Sequence, residues 1–353
     1  MNASIDSLPE AWPSLPLDAW RDTCAALHLW TQIVGKIRLS LSPWVNHSWH
    51  TTLYVTATGL TTSAIPYANR SFEIDFNFLE HQLWLRSSDG RAAALALEAQ
   101  LVASFYGRLM DAMHKLDFDV RIHRRPNEIA ESIAFDQDVK PRPYDGDYAG
   151  RFWRILQQVD RVFKMFRARF LGKCSPVHFF WGAADLAVTR FSGRKAPQHP
   201  GGVPNLPDWV TQEAYSHEVS SCGFWPGSGP VPYAAFYSYA YPEPTAFSKS
   251  PVKPDGAFYS DDLREFILPY DQVRESEEPD EILLEFLQTT YEAAANLAQW
   301  ERAALERGEH RRADVEANQT LLSSADNAPY RLRSRRRPWY SLILQKRWIG
   351  SIR

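Results

Sequence analysis

The chain has 353 residues, 44% of them hydrophobic and 23% charged, proportions that imply a buried core and exclude a disordered or low-complexity protein. Its net charge of −3 hides an asymmetry: residues 330–353 carry eight Lys/Arg and no acid, so removing them leaves −11 on the rest. An acidic body excludes a general nucleic-acid-binding surface.

Residues 1–16 are irregular, with Pro9, Pro13 and Pro16. They lack the basic and apolar regions of a signal peptide, and no apolar run approaches the ~20 residues that cross a bilayer, so a soluble cytoplasmic protein is expected. From Leu17, Trp20, Cys24, Leu27, Trp30 and Val34 recur at helical spacing, with Gly35 as the expected C-terminal cap. Alternation at Ile37, Leu39 and Leu41 predicts a strand, and the β-branched run Thr51–Thr58 a second. Further strands are predicted at 72–76, 83–85 and 94–97, with Asp89-Gly90 as a hairpin turn. Leu101, Phe105, Leu109, Ala112 and Leu116 mark a helix, and Val120 and Ile122 a short strand after it.

The polar stretch 124–149, with three Pro, reads as a connector. A helix is predicted from Gly150 to Gly172 on the apolar stripe Phe152, Ile155, Val159, Val162, Phe166 and Phe170. Strands follow at 176–181 and 185–191, then a Pro/Gly-rich loop at 197–207. Strands at 218–224, 234–240 and 266–268 precede a last helix over 279–306. The expected fold is α+β: two tandem sheet-plus-helix units, 17–123 and 150–306, with antiparallel sheets covered by helices. The repeated order (helix, Gly-Lys, strands, closing helix) points to an internal duplication.

The blocks GKCSPVHFFWGAADLAVTRFSGR, NHSWHTTLYVTATGLTTSAIP, EAYSHEVSSCGFWPG and TTYEAAANLAQW resemble a bacterial family known as domain of unknown function 5996, over roughly 16–306. The resemblance implies a soluble bacterial protein and brings no activity, cofactor or catalytic residue with it.

The segment 172–227 holds most of the polar groups a site could use. A divalent metal would draw on His178, His217, Glu218 and His47, because imidazole and carboxylate are good ligands, although no HExxH spacing is present. His178 and His217 are equally candidates for general bases. Ser216-His217, and Cys174 and Ser175 near His178, supply residue types for nucleophilic catalysis, without a GxSxG elbow. Arg190 and Arg194, with Asp185 nearby, form a candidate ligand-binding group, since a guanidinium fork matches an anion. The three Cys contain no CxxC pair, so neither a disulfide framework nor a Cys-based zinc site is indicated. No phosphate-cradling glycine motif supports nucleotide binding. The leading reading is an enzyme acting on a small polar or anionic molecule with metal assistance. The alternative is a non-catalytic ligand-binding or scaffold protein.

The tail from 307 combines its cations with Trp339, Leu342, Leu344 and Trp348, a composition suited to anionic surfaces. Both units are complete before it. Truncation at about residue 325 should therefore leave the thermal midpoint unchanged. A loss of more than a few degrees, on the order of 1 kcal/mol for a chain this size, would make the tail part of the folded body.

Overall fold

The computed structural model describes residues 10–229 and 231–308; the expectations for the basic tail lie outside the described residues. The first helix, α1 (Leu17–Leu41), is longer than its periodicity to Val34 suggested. Trp30, Ile33, Val34 and Ile37 are all fully buried, so the 3.6-residue stripe continues where alternation predicted a strand at 37–41. Gly35 is consequently no cap. It sits mid-helix because a Cβ there would lie 2.2 Å from the indole of Trp181, whose Nε1 donates to the Thr51 carbonyl at 2.7 Å.

Six strands then form an antiparallel sheet: β1 (Tyr54–Val55), β2 (Gly59–Thr61), β3 (Ile65–Tyr67), β4 (Arg70–Asn77), β5 (Gln82–Ser87) and β6 (Ala92–Ala96). Their order is β1-β2-β4-β5-β6, with β3 also on β4. Only two residues of the expected Thr51–Thr58 strand are extended in a ladder. After β7 (Gln100–Leu101) comes α2 (Val102–Lys115); the short strand expected at 120–122 does not form. β8 (Pro141–Arg142) pairs with β7. Helix α3 (Gly146–Ala168) starts four residues before Gly150 because Asp145 caps it, its carboxylate accepting from Asp147 and Tyr148 N–H.

The second sheet is built from β9 (His178–Phe180), β10 (Asp185–Lys195), β11 (His217–Trp225), β12 (Ala235–Tyr241), β13 (Phe258–Ser260) and β14 (Glu265–Pro269). It is antiparallel, in the order β13-β14-β12-β11-β10-β9. Helix α4 (Asp208–Ala214) lies in the chain between β10 and β11, directly after the Pro/Gly-rich loop at 197–207, where no element was predicted. The chain closes with α5 (Tyr270–Arg274), α6 (Pro279–Leu297) and α7 (Arg302–Leu305); the last predicted helix is thus broken after Leu297. The protein is α+β, with antiparallel sheets and helices against them. Leu53 and Phe179 exchange backbone hydrogen bonds of 2.9 Å in both directions, joining the two sheets edge to edge through one bridge. A single apolar core runs through both.

Residues alternate in β10, β11 and β12, as side chains on a pleated strand must. Leu186, Val188, Cys222, Phe224 and Phe236 enter the core under α3 and α6. Asp185, Ala187, Thr189, Ser221, Tyr237 and Tyr239 face the other way. That second face has no long helix over it and becomes the floor of a cavity.

Gly35→Ala tests the packing that fixes α1. In an open helix the change would stabilise by up to ~1 kcal/mol. Against a hydrogen-bonded indole it should instead destabilise by about 1–3 kcal/mol, read as a lower urea midpoint. A stabilised variant would mean that Trp181 moves freely.

Candidate functional site

The cavity holds about 650 Å³, within the range of small-molecule sites. Its floor is the free face of the second sheet. Its cover is α4, the turn at His47–Trp49 and the loop carrying Asn127 and Glu128. At the rim, Trp44 and Trp209 are 44% and 53% exposed and their rings approach to 4.9 Å. Two contacts hold α4 down: Trp44 Nε1 donates to Glu213 Oε1 at 2.7 Å, and His47 Nδ1 donates to the Ala214 carbonyl at 2.9 Å.

Three carboxyl groups line this space. Asp185, at the start of β10, is 8% exposed. Tyr237 donates its hydroxyl to Asp185 Oδ2. To do so its ring must cross β11, and it crosses at Gly223, the residue registered opposite it, where a Cβ would sit 2.3 Å from the phenol. Burial pushes Asp185 up to about 6, against the Tyr237 hydrogen bond that lowers it. Burial, with Asp185 as a second cause, pushes both Glu128 and Glu265 up to about 7. Glu128 is itself open to the cavity, and water there weakens that effect.

Glu128 is held from behind. Its N–H donates to Pro204 O at 2.8 Å. The neighbouring Asn127 is gripped by α1: its N–H donates to Gln32 Oε1 at 2.8 Å, and its side-chain oxygen accepts from the buried Lys36. Burial lowers Lys36 to about 8. The supposed connector thus delivers a carboxylate to the site through a polar anchor inside the first helix.

Of the other predicted residues, His47 and His217 are brought near each other, ring centres 6.2 Å apart, while His178 is placed away from His217. His178, on β9, is registered opposite Ala187, whereas His217 pairs with Lys195 at the far end of β10. Ala187 pairs with Gly223, six residues from His217, or about 20 Å along a strand. The two histidines therefore do not meet. His178 is enclosed by the rings of Trp49, Tyr54 and Phe180; burial first, then Arg38 and Arg167, lower it to about 3. His47 does line the cavity, but both ring nitrogens are engaged, Nε2 at 2.7 Å from Lys173 Nζ. Glu218 turns to the opposite face and binds Ser192 and Arg194. Among the described residues no group of three or more His, Cys, Asp or Glu is arranged to hold a metal ion.

The arginines also leave the cavity. Arg190 is 1% exposed because it shares the face of Val188. Its guanidinium lies 3.4 Å from the Phe166 ring centre and 4.3 Å from that of Tyr291, and Nη2 donates to the Phe166 carbonyl at 2.5 Å. Arg194 donates to the Ala298 carbonyl just past α6 at 2.5 Å, a helix-end contact of the kind cations favour. As for nucleophiles, Cys174 is pushed up to about 11, chiefly by burial, so it stays a thiol. Ser175 Oγ is occupied by the Thr189 N–H at 2.9 Å. Ser216 Oγ does reach His217 Nδ1 at 3.1 Å, outside the cavity lining.

The model of the family of unknown function DUF5996 matches residues 12–307. The chain belongs to that family. No curated protein and no solved structure matches it. Among the described residues of this DUF5996 chain no helix is long and apolar enough to cross a membrane. Of the cavity groups, sequence reasoning singled out Asp185 and His47 and missed Glu128, Glu265 and Thr211. Those three sit outside any motif; Tyr237 lies within the strand predicted at 234–240 and was not singled out as a site residue.

The raised Asp185 carboxyl predicts a pH effect. An unfolded Asp loses its proton near pH 4, the folded one at about 6. The folded state therefore holds the proton more tightly, and stability falls as pH rises from about 4 to 6, the full cost remaining above that. Asp185→Asn, which keeps an acceptor for Tyr237, should stabilise the protein by about 1–3 kcal/mol at pH 8 and by little at pH 4.5, as measured by urea unfolding. A variant weaker than wild type at pH 8 would show that the ionised carboxylate is well satisfied.

Proposed function

We propose that the chain is an enzyme acting on a small polar molecule held in this cavity, with Asp185 as the residue that accepts or donates a proton. The observation that carries the proposal is a buried carboxyl, shifted toward neutrality, at the edge of a 650 Å³ aromatic hollow. A general acid–base group works best when its pKa is near the operating pH, and displaced carboxyls concentrate at functional sites. Tyr237 orients Asp185 through its hydroxyl. It stays protonated, since burial and the adjacent Asp185 push its phenol well above the usual tyrosine range.

Glu128 and Glu265 act through charge. Each lies near enough to Asp185 for its own proton affinity to be raised by it, so ionising one carboxyl discourages the others. The site then stores a proton near neutral pH. Around Asp185, which is 8% exposed, the aromatic walls lower the local dielectric and strengthen its interactions. No part is assigned to a metal, to Arg190 or to Arg194, none of which has a place in the lining.

Difference infrared spectroscopy between pH 4.5 and 8 tests the assignment. Wild type should lose a protonated-carboxyl band with a midpoint near 6, and Asp185→Asn should lack that band. A midpoint near 4 for Asp185 would remove it as the proton-transferring group.

A further inference from the structure

We propose that the cavity's ligand is a small organic amine, bound as its ammonium ion, with its charge at Asp185, Glu128 and Glu265 and its apolar body against the surrounding indole and phenyl rings. This inference rests on the reading of the cavity as a small-molecule site and adds the chemical class of the molecule.

The first observation is the sign of the lining. Three acids among the described residues face the space, and neither Lys nor Arg does. Among the described residues none of the three acids forms an ion pair, whereas the buried Asp138 is paired with Arg142 at 2.8 Å. Asp185 has a phenol for a partner and no cation. The imidazole at the other end, His47, has its pKa lowered by burial, against the Ala214 carbonyl hydrogen bond that raises it, and its Nε2 faces the Lys173 ammonium at 2.7 Å, which also lowers it. A negative cavity without an internal counter-ion is complementary to a cation supplied from outside.

The second observation is independent of charge. Thr211, on the cover helix α4, lines the same cavity and is 5% exposed, yet its Oγ1 has no hydrogen-bond partner. A buried hydroxyl left unpaired costs about 1–3 kcal/mol. An ammonium group has three N–H donors and no acceptor, so it suits a lining whose unpaired groups, the carboxylates and this hydroxyl, can all accept. The third observation is the wall. Trp49, Trp181, Trp209, Trp225, Phe180 and Phe191 all contribute to it, and the faces of such rings attract cations at close range. The same rings accommodate an aromatic or aliphatic body. An anion would meet the carboxylates and the negative ring faces together, and a neutral molecule would leave the carboxylates unpaired.

The experiment compares three probes of one shape on the full-length chain by calorimetry and thermal shift at pH 7.5: 2-phenylethylamine, 2-phenylethanol and 3-phenylpropionate. The amine should bind at least tenfold more tightly than the alcohol, and the carboxylate should not bind. In Asp185→Asn the preference for amine over alcohol should collapse to within a few-fold while the alcohol's affinity is retained. Ala187→Phe, which fills the floor, should abolish binding of both. Equal binding of amine and alcohol to wild type, or tighter binding of the carboxylate, would overturn the amine assignment and leave the cavity standing as a ligand site. Binding that survives Ala187→Phe, or no binding of any probe at millimolar concentration, would overturn both.

Discussion

Everything in the second half of this protein follows from one constraint: a β-strand turns successive side chains to opposite faces. In β10 that constraint separates Leu186, Val188 and Arg190 from Asp185, Ala187 and Thr189. The first set is sealed by α3 and α6, and its burial supplies much of the stability of the sheet. The second set is covered only by the short α4 and by loops. A sheet face that is not filled by a long helix must be filled by large side chains or left hollow. Here Tyr237, Tyr239, Phe191 and Trp225 fill part of it, and the remainder is the cavity.

The same alternation distributes charge. Arg190 goes to the helix side, where among the described residues it makes no ion pair and Glu306, taken by the Tyr291 hydroxyl, acts on it only at longer range. Its cation is stabilised by ring faces and by a backbone carbonyl, and although burial lowers it to about 10, it stays charged at neutral pH. Asp185, five residues earlier and hence on the other face, cannot pair with it. A shift of one residue in this strand would exchange the two between the faces without bringing them together. Their odd spacing along one strand, rather than composition, therefore keeps Asp185 from Arg190. On α1 the buried Lys36 is likewise spent on Asn127, a neutral partner.

How far this was readable from the sequence depends on the range of the interaction involved. The strands 72–76, 83–85, 185–191, 218–224 and 234–240 were legible because each carries its own alternating pattern. The helix on Phe152–Phe170 was legible for the same reason at the helical period. The reading failed at Ile37–Leu41, where three alternating apolar residues fit a strand as well as the end of a helical stripe, and a mid-helix Gly35 looked like a cap. What decided the case was Trp181, nearly 150 residues away, whose indole needs the space. Asp185 and His47 were identifiable as polar residues in an apolar setting. Glu128 was not, because it lies in a Pro-rich polar loop whose path is set by Gln32, Lys36 and Asn205. The pairing of His178 with His217 failed because matching parity on two strands fixes the face and says nothing of the level along it.

Local instability also gathers at the cavity. His47, Ser48, Glu128 and Ala184 hold positive φ of 57–61°, a region that costs a non-glycine residue on the order of 1 kcal/mol or more. To these are added the unpartnered Thr211 hydroxyl and three carboxyls held above their usual range. Replacement of Asp185 by a neutral residue would relieve part of this cost without touching the core. A sequence shaped only by folding would tend to such a replacement, since stability is gained and no contact under α3 or α6 is lost. Positive φ also occurs away from the cavity, at Ser63, Ala68, His81 and Asp117 among others, so backbone strain is not what sets the hollow apart. What sets it apart is that α4, β10, the 46–48 turn and the 127–128 loop enclose one space in which the proton affinities of Asp185, Glu128 and Glu265 are raised together.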